Sequence, residues 1–224
     1  MCSRLISCCL VLALLSGCAG VGGLKLPGVG ASTTTADEQR ALPEQLVVTP
    51  NPYLSNQRPV SEEASRRFAG AKAAMAEEDW DRAEADLNWL MAEYPKLSGP
   101  YLNMALLHQA RGDAEQAERY FQTTLEVNET NLDAYNQYAI FLRQQGRFDD
   151  AEAAYLAALD VWKDHPATHR NLGVLYDLYR GDREKALQHY HRYQSLTDGE
   201  DRAVAGWIID LERRFGQVVQ VAPR

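Results

Sequence analysis

The side chains to test first for chemistry are the five histidines, His108, His165, His169, His189 and His191. His165 and His169 stand four apart, a spacing at which imidazoles can share a metal, but Pro166 places a turn between them. His189 and His191 are two apart, so on a helix they point to different faces and form no simple ligand pair. His108 and His169 occupy places where the chain's helical pattern wants a large packing residue, and a structural role is expected of both. No glycine-rich phosphate loop follows a strand, no strand is read, and no elbow motif surrounds any serine. Acid pairs such as Asp149 and Asp150 suit helix starts, with Asp149 expected as an N-cap. The residues point to no enzyme, no metal and no cofactor.

What positions these residues is a recurring helical pattern, cleanest over residues 132–165. Tyr135, Tyr138 and Leu142 fall at helical spacing with Ala139 beside them, Gly146 can end the helix, and a second helix places Ala151 and Ala158 against Phe148, Tyr155 and Leu159. Sliding the pattern along the chain pairs Ala151 with Ala83, Ala117 and Ala186, at successive separations of 34, 34 and 35 positions. Tyr155 aligns with Leu87, Phe121 and Tyr190, Ala139 with Ala71, Ala105 and Gly173, and Gly146 with Gly112, Gly181 and, in the first copy, Glu78. An ordinary amphipathic bundle would share the composition but not this phase. Each copy leaves an outer apolar face that only a neighbouring copy can cover.

The pattern resembles the tetratricopeptide repeat, TPR, over residues 64–196. The resemblance implies an all-α fold, a right-handed superhelical stack of about four helix-turn-helix units (residues 61–97, 98–131, 132–165 and 166–196). Departures are the repeat-closing proline, present only as Pro95, one extra residue before Gly181, and Tyr193 where a small residue is expected. The fourth pair is therefore expected to be irregular. Val204, Trp207, Ile208, Leu211 and Phe215 then repeat at helical spacing, which fits a capping helix over residues 197–216, or a free amphipathic helix, with a tail at 217–224. The resemblance also implies a concave groove lined by Leu102, Leu106 and Gln109, then Asn136, Ile140 and Arg143, then Arg170, Val174 and Asp177, with Lys72 at the near end. Such a surface would suit a peptide of alternate apolar side chains with an acidic group. The same positions would otherwise be plain solvated helix faces.

Ahead of the repeats, Arg4 and the apolar run of residues 5–15 read as an export signal, too short to span a membrane as a mature helix. Leu15-Ser16-Gly17-Cys18 resembles the bacterial lipobox; an ordinary cleaved secretory signal is the alternative. The resemblance implies loss of residues 1–17 and covalent diacylglycerol and acyl lipid on Cys18, several chains giving stable anchoring. Ala19, where aspartate would favour inner-membrane retention, implies the periplasmic face of the outer membrane. Cys2, Cys8 and Cys9 leave with the signal, so the mature chain has a single thiol and no internal disulfide. Residues 18–60 read as a flexible tether interrupted by Pro43, Pro50, Pro52 and Pro59; as a coil of about 40 residues its ends would lie roughly 35–40 Å apart. The apolar stretch at 46–54 either docks on the repeats or stays loose.

A net charge of −8 disfavours nucleic acid and anionic lipid as principal partners. The chain is similar to pilotin-type and periplasmic adaptor TPR lipoproteins. That implies a non-catalytic scaffold assisting assembly of an envelope complex of pilus or secretion type. The alternative is an adaptor that recruits or modulates a periplasmic hydrolase or protease. Self-association is left open, since Trp162 and Trp207 both have core explanations.

Overall fold

The computed structural model describes residues 48–55 and 59–221, with side chains up to position 214; the expected signal, lipidation site and most of the tether, at residues 1–47, lie outside them. After a short helix α1 (Pro52–Ser55), eight helices follow as antiparallel pairs: α2 (Glu62–Ala76) with α3 (Trp80–Glu93), α4 (Ser98–Ala110) with α5 (Ala114–Val127), α6 (Leu132–Gln144) with α7 (Phe148–Val161), and α8 (Pro166–Leu175) with α9 (Arg183–Leu196). A final helix, α10 (Arg202–Val221), packs on α9 and continues past Gly216, where a tail was expected. No strand occurs among the described residues, and no helix there is long and apolar enough to cross a membrane.

The turns inside the pairs are set by one repeated device. Gly112, Gly146 and Gly181 take φ of 80°, 76° and 66°, and Glu78 takes φ 60° at the equivalent place. The next residue starts the second helix. Asp79, Asp113 and Asp182 each accept the backbone N–H three residues on, covering a donor the helix start would leave open. The third copy departs. Arg147 is the cap residue and supplies no side-chain bond, while Asp149, expected as the cap, lies in the first turn of α7. Ser61 caps α2 as its sequence indicates, and Asp201 Oδ1 accepts from Ala203 and Val204 at the start of α10.

The phased small residues are the contact points. Ala71, Ala83, Ala105, Ala117, Ala139, Ala151 and Ala186 have no exposed surface, and Leu87, Phe121, Tyr155 and Tyr190 are buried against them. Burying each of those large side chains contributes about 1.5–3 kcal/mol, which is why the phase is held. Two apolar clusters result. One joins α2 and α3 to Met104 and Leu107 of α4, and the other runs from Leu102 and Ala105 of the same helix to Leu211 of α10. α4 belongs to both.

The irregularity expected in the fourth unit is a π-helical turn, Tyr176–Arg180, continuing α8. In the first three units the cap residue's N–H reaches back five positions, from Asp79 to Ala74, Asp113 to His108 and Arg147 to Leu142. In the fourth, Asp182 reaches back six, to Tyr176 at 3.0 Å. The extra residue is absorbed by widening one turn, which leaves Leu178 and Tyr179 exposed.

Candidate functional site

The expected groove residues separate into three groups. Leu102 and Asn136 are buried, 9% and 4% exposed, and belong to the interior. Asn136 donates to the Leu132 carbonyl at 3.0 Å and to Thr168 Oγ1 at 2.7 Å, and accepts from Asn171 at 3.0 Å. The Thr168 hydroxyl in turn meets His165 Nδ1 at 2.7 Å. This closed network binds the third unit to the fourth and leaves Asn136 no free polar atom for a partner.

At the far end, α10 occupies the place a fifth unit's leading helix would take. Arg170 lies 3.6 Å from Asp201 and stacks over Trp207, with 5.2 Å to the ring centre. Asp177 lies 3.6 Å from Arg214. Both charges were expected to face a partner; the cap engages them instead, because Val204, Ile208 and Leu211 draw α10 onto the last pair. Val204 is fully buried, so α10 is a cap and not a free amphipathic helix.

The remaining positions stay on the accessible face. Leu106, Ile140 and Val174 are half-buried against the core, and Gln109 donates to Gln144 Oε1 at 2.8 Å while its own Oε1 finds no partner among the described residues. Arg143 makes no ion pair there; its guanidinium lies 5.3 Å from the Tyr179 ring centre and its Nε is unsatisfied. Lys72 is exposed and sits over the Phe68 ring at 5.2 Å. At this near end a cavity of about 790 Å³ opens between α2 and the 96–100 segment, lined by Tyr53, Val60, Phe68, Leu97 and Pro100 together with Lys72 and Lys96. Neither lysine has a carboxylate partner among the described residues.

The other face carries a ladder of ion pairs between units. Arg111 reaches Asp81 at 3.0 Å and Glu84 at 2.6 Å in the unit before it, Arg147 reaches Glu118 at 2.7 Å, and Arg180 reaches Asp149 at 2.5 Å and Glu152 at 3.3 Å. This ladder was missed in the sequence. Its signal was there, in acids at 81/84, 115/118 and 149/152 that keep the repeat phase.

The histidines contact neighbouring side chains. His108 stacks on Tyr120 at 5.3 Å, and His191 meets Glu212 at 3.4 Å. His169 and His189, far apart in sequence, bring their Nδ1 atoms to 3.0 Å. His169 Nε2 faces the Lys163 carbonyl at 2.9 Å and must donate, so its Nδ1 accepts from His189 Nδ1–H. Burial lowers both pKa values, that of His189 to about 4, helped by His169 and Lys185. Burial also pushes the Tyr155 hydroxyl up to about 12. No group of three or more metal-ligating side chains forms among the described residues.

Four stacked pairs with an accessible groove and a capped end define a helical-repeat scaffold, a class that binds other chains along its surface. The stack has the tetratricopeptide-repeat fold, and tetratricopeptide repeat family models match its residues 101–133 and 130–196. Photosystem I assembly protein Ycf3 of Rippkaea orientalis is 29% identical over 118 residues, covering 47% of this chain and 68% of its own. Among solved structures, pilF of Pseudomonas aeruginosa is similar with a TM-score of 0.62 at 18% identity, over 70% of this chain and 71% of that one. YrrB, described as a TPR protein with an unusual peptide-binding site, has a TM-score of 0.50 at 20% identity, over 63% of this chain and 72% of its own.

Proposed function

We propose that this chain is a non-catalytic scaffold, anchored through lipid on Cys18 to the periplasmic face of the outer membrane, that assists assembly of an envelope complex of pilus or secretion type. The observation that carries the binding role is the cavity at the first unit, an apolar hollow with two lysines that have no carboxylate partner among the described residues, in a chain of net charge −8. An extended partner segment with alternate apolar side chains and one carboxylate matches it in shape and sign. The assembly role in the name of Ycf3 supports the assembly reading, and the lipobox-like residues support the anchor.

The test is binding of extended acidic-apolar peptides, and capture of envelope proteins, by the wild-type chain and by Lys72→Glu with Lys96→Glu. Reversing both charges weakens peptide binding by about tenfold or more if the cavity is the site. Unchanged affinity and an unchanged set of captured proteins would remove the cavity from the reading. Separately, Cys18→Ser abolishes acyl labelling; continued lipid incorporation would defeat the anchor.

A further inference from the structure

The loops joining one unit to the next form one edge of the stack, and one of them carries a built polar clamp. Asp164, between α7 and α8, has no side-chain exposure and is ion-paired with Arg192 of α9. Its other oxygen accepts the backbone N–H of Thr49 at 3.0 Å and the Thr49 hydroxyl at 3.1 Å. From the same loop, the Trp162 indole N–H lies 2.8 Å from the Thr49 carbonyl and 3.0 Å from Thr49 Oγ1. One residue thus has its amide, its carbonyl and its hydroxyl all matched.

The clamp is not a general feature of the repeat. At the preceding boundary the equivalent residues are Asn128 and Thr130, and Asn128 Oδ1 turns inward to accept the Thr130 N–H and hydroxyl at 2.9 and 2.8 Å. At the first boundary they are Tyr94 and Lys96, and the Tyr94 hydroxyl meets Ser61 Oγ at 2.7 Å. An indole and a buried carboxylate two residues apart occur only at the third boundary among the described residues.

We propose that Trp162, Asp164 and Arg192 form a peptide-backbone site for an extended threonine-proline segment, that its occupant is this chain's own residues 48–55, and that docking there sets one wall of the first-unit cavity. The segment is suited to it. Pro50 and Pro52 restrict the backbone on the far side of Thr49, which lowers the ordering cost. Asn51 Oδ1 then accepts the Tyr53 N–H at 2.9 Å and starts α1, and Tyr53 reaches the cavity. The segment therefore links the third boundary to the first unit, and release of Thr49 withdraws the support of Tyr53.

The Trp162 indole N–H reports occupancy directly. Its hydrogen exchange is followed by NMR in the full chain, with Trp162→Phe identifying the signal. Thr49→Pro removes both the amide and the hydroxyl from Asp164, at a position outside the paired helices. Two lost hydrogen bonds to a charged acceptor predict exchange at Trp162 faster by about thirtyfold or more, with the indoles of Trp80, Trp89 and Trp207 unchanged. Unchanged exchange at Trp162, or exchange in the wild type already as fast as in an exposed indole, would overturn the proposal. Protection that rises with protein concentration would also overturn it, by making a second copy the occupant. Lys72→Glu with Lys96→Glu does not touch the clamp, so failure of the groove reading leaves this result distinguishable.

Discussion

Gly173→Ala adds one methyl group at the crossing of α8 and α9. A Cβ there would lie 2.3 and 2.4 Å from Tyr190 Cε1 and Cδ1 and 3.0 Å from Cζ, far inside contact distance. Tyr190 is 1% exposed, so its ring has no solvent to move into. The ring or the helix must shift by roughly an ångström, and overpacking of this kind costs about 1–3 kcal/mol. Against that, alanine is the better helix former by about 1 kcal/mol. The short distances place the clash at its upper end, so the net loss is about 2 kcal/mol. For an array of this size that lowers the melting midpoint by roughly 4–8 °C. Urea denaturation followed by circular dichroism measures it. The first unit shows the remedy, since Ala71 and Leu87 fill the same two places. In a cycle of Gly173→Ala, Tyr190→Leu and both, the double variant should be more stable than additivity allows by about 1 kcal/mol. A Gly173→Ala chain as stable as wild type, or an additive cycle, would show that the crossing yields and that the small residue is not what sets the packing.

The histidine pair makes stability acid-sensitive: both pKa values are lowered in the fold, so the unfolded chain takes up protons first. The contribution is complete above the unfolded value near 6.5, declines as pH falls and is gone once pH passes the folded value of about 4 at His189; His189→Phe should flatten that part of the stability profile. Asn136→Ala strands Thr168 and Asn171 and should cost about 2 kcal/mol in denaturant unfolding; lost partner binding with unchanged stability would instead return Asn136 to the groove. Glu78→Gly should gain about 0.5–1 kcal/mol by relieving a left-handed backbone that its three counterparts meet with glycine, read as a higher denaturation midpoint.

The fold was legible because its determinants are local and repeated. The alanine phase, the turn glycines and the extra residue before Gly181 each specify backbone geometry within one unit, and the π turn appears where the count runs over. The groove was less legible because whether a residue faces solvent depends on neighbours that only the folded chain brings beside it. Arg170 and Asp177 have the sequence features of ligand contacts until Asp201, Trp207 and Arg214 are carried to them by α10. Asn136 resembles a surface amide until His165, Thr168 and Asn171, from the next unit, enclose it. The apolar stretch at 46–54 marked a segment able to dock, and Thr49 does so, but its place against residues 162–164 had no local signal, since a threonine between valine and proline says nothing of a carboxylate more than a hundred positions away.

The attachment of Thr49 changes where the stack would bear tension. A pull arriving along the chain from its N-terminal side meets Trp162 and Asp164 before it meets Ser61 and the start of α2. The force is delivered to the joint between the third and fourth units, which the Asn136 network and the Asp164–Arg192 pair reinforce. The start of α2 is then shielded from such a pull for as long as the contacts of Thr49 hold.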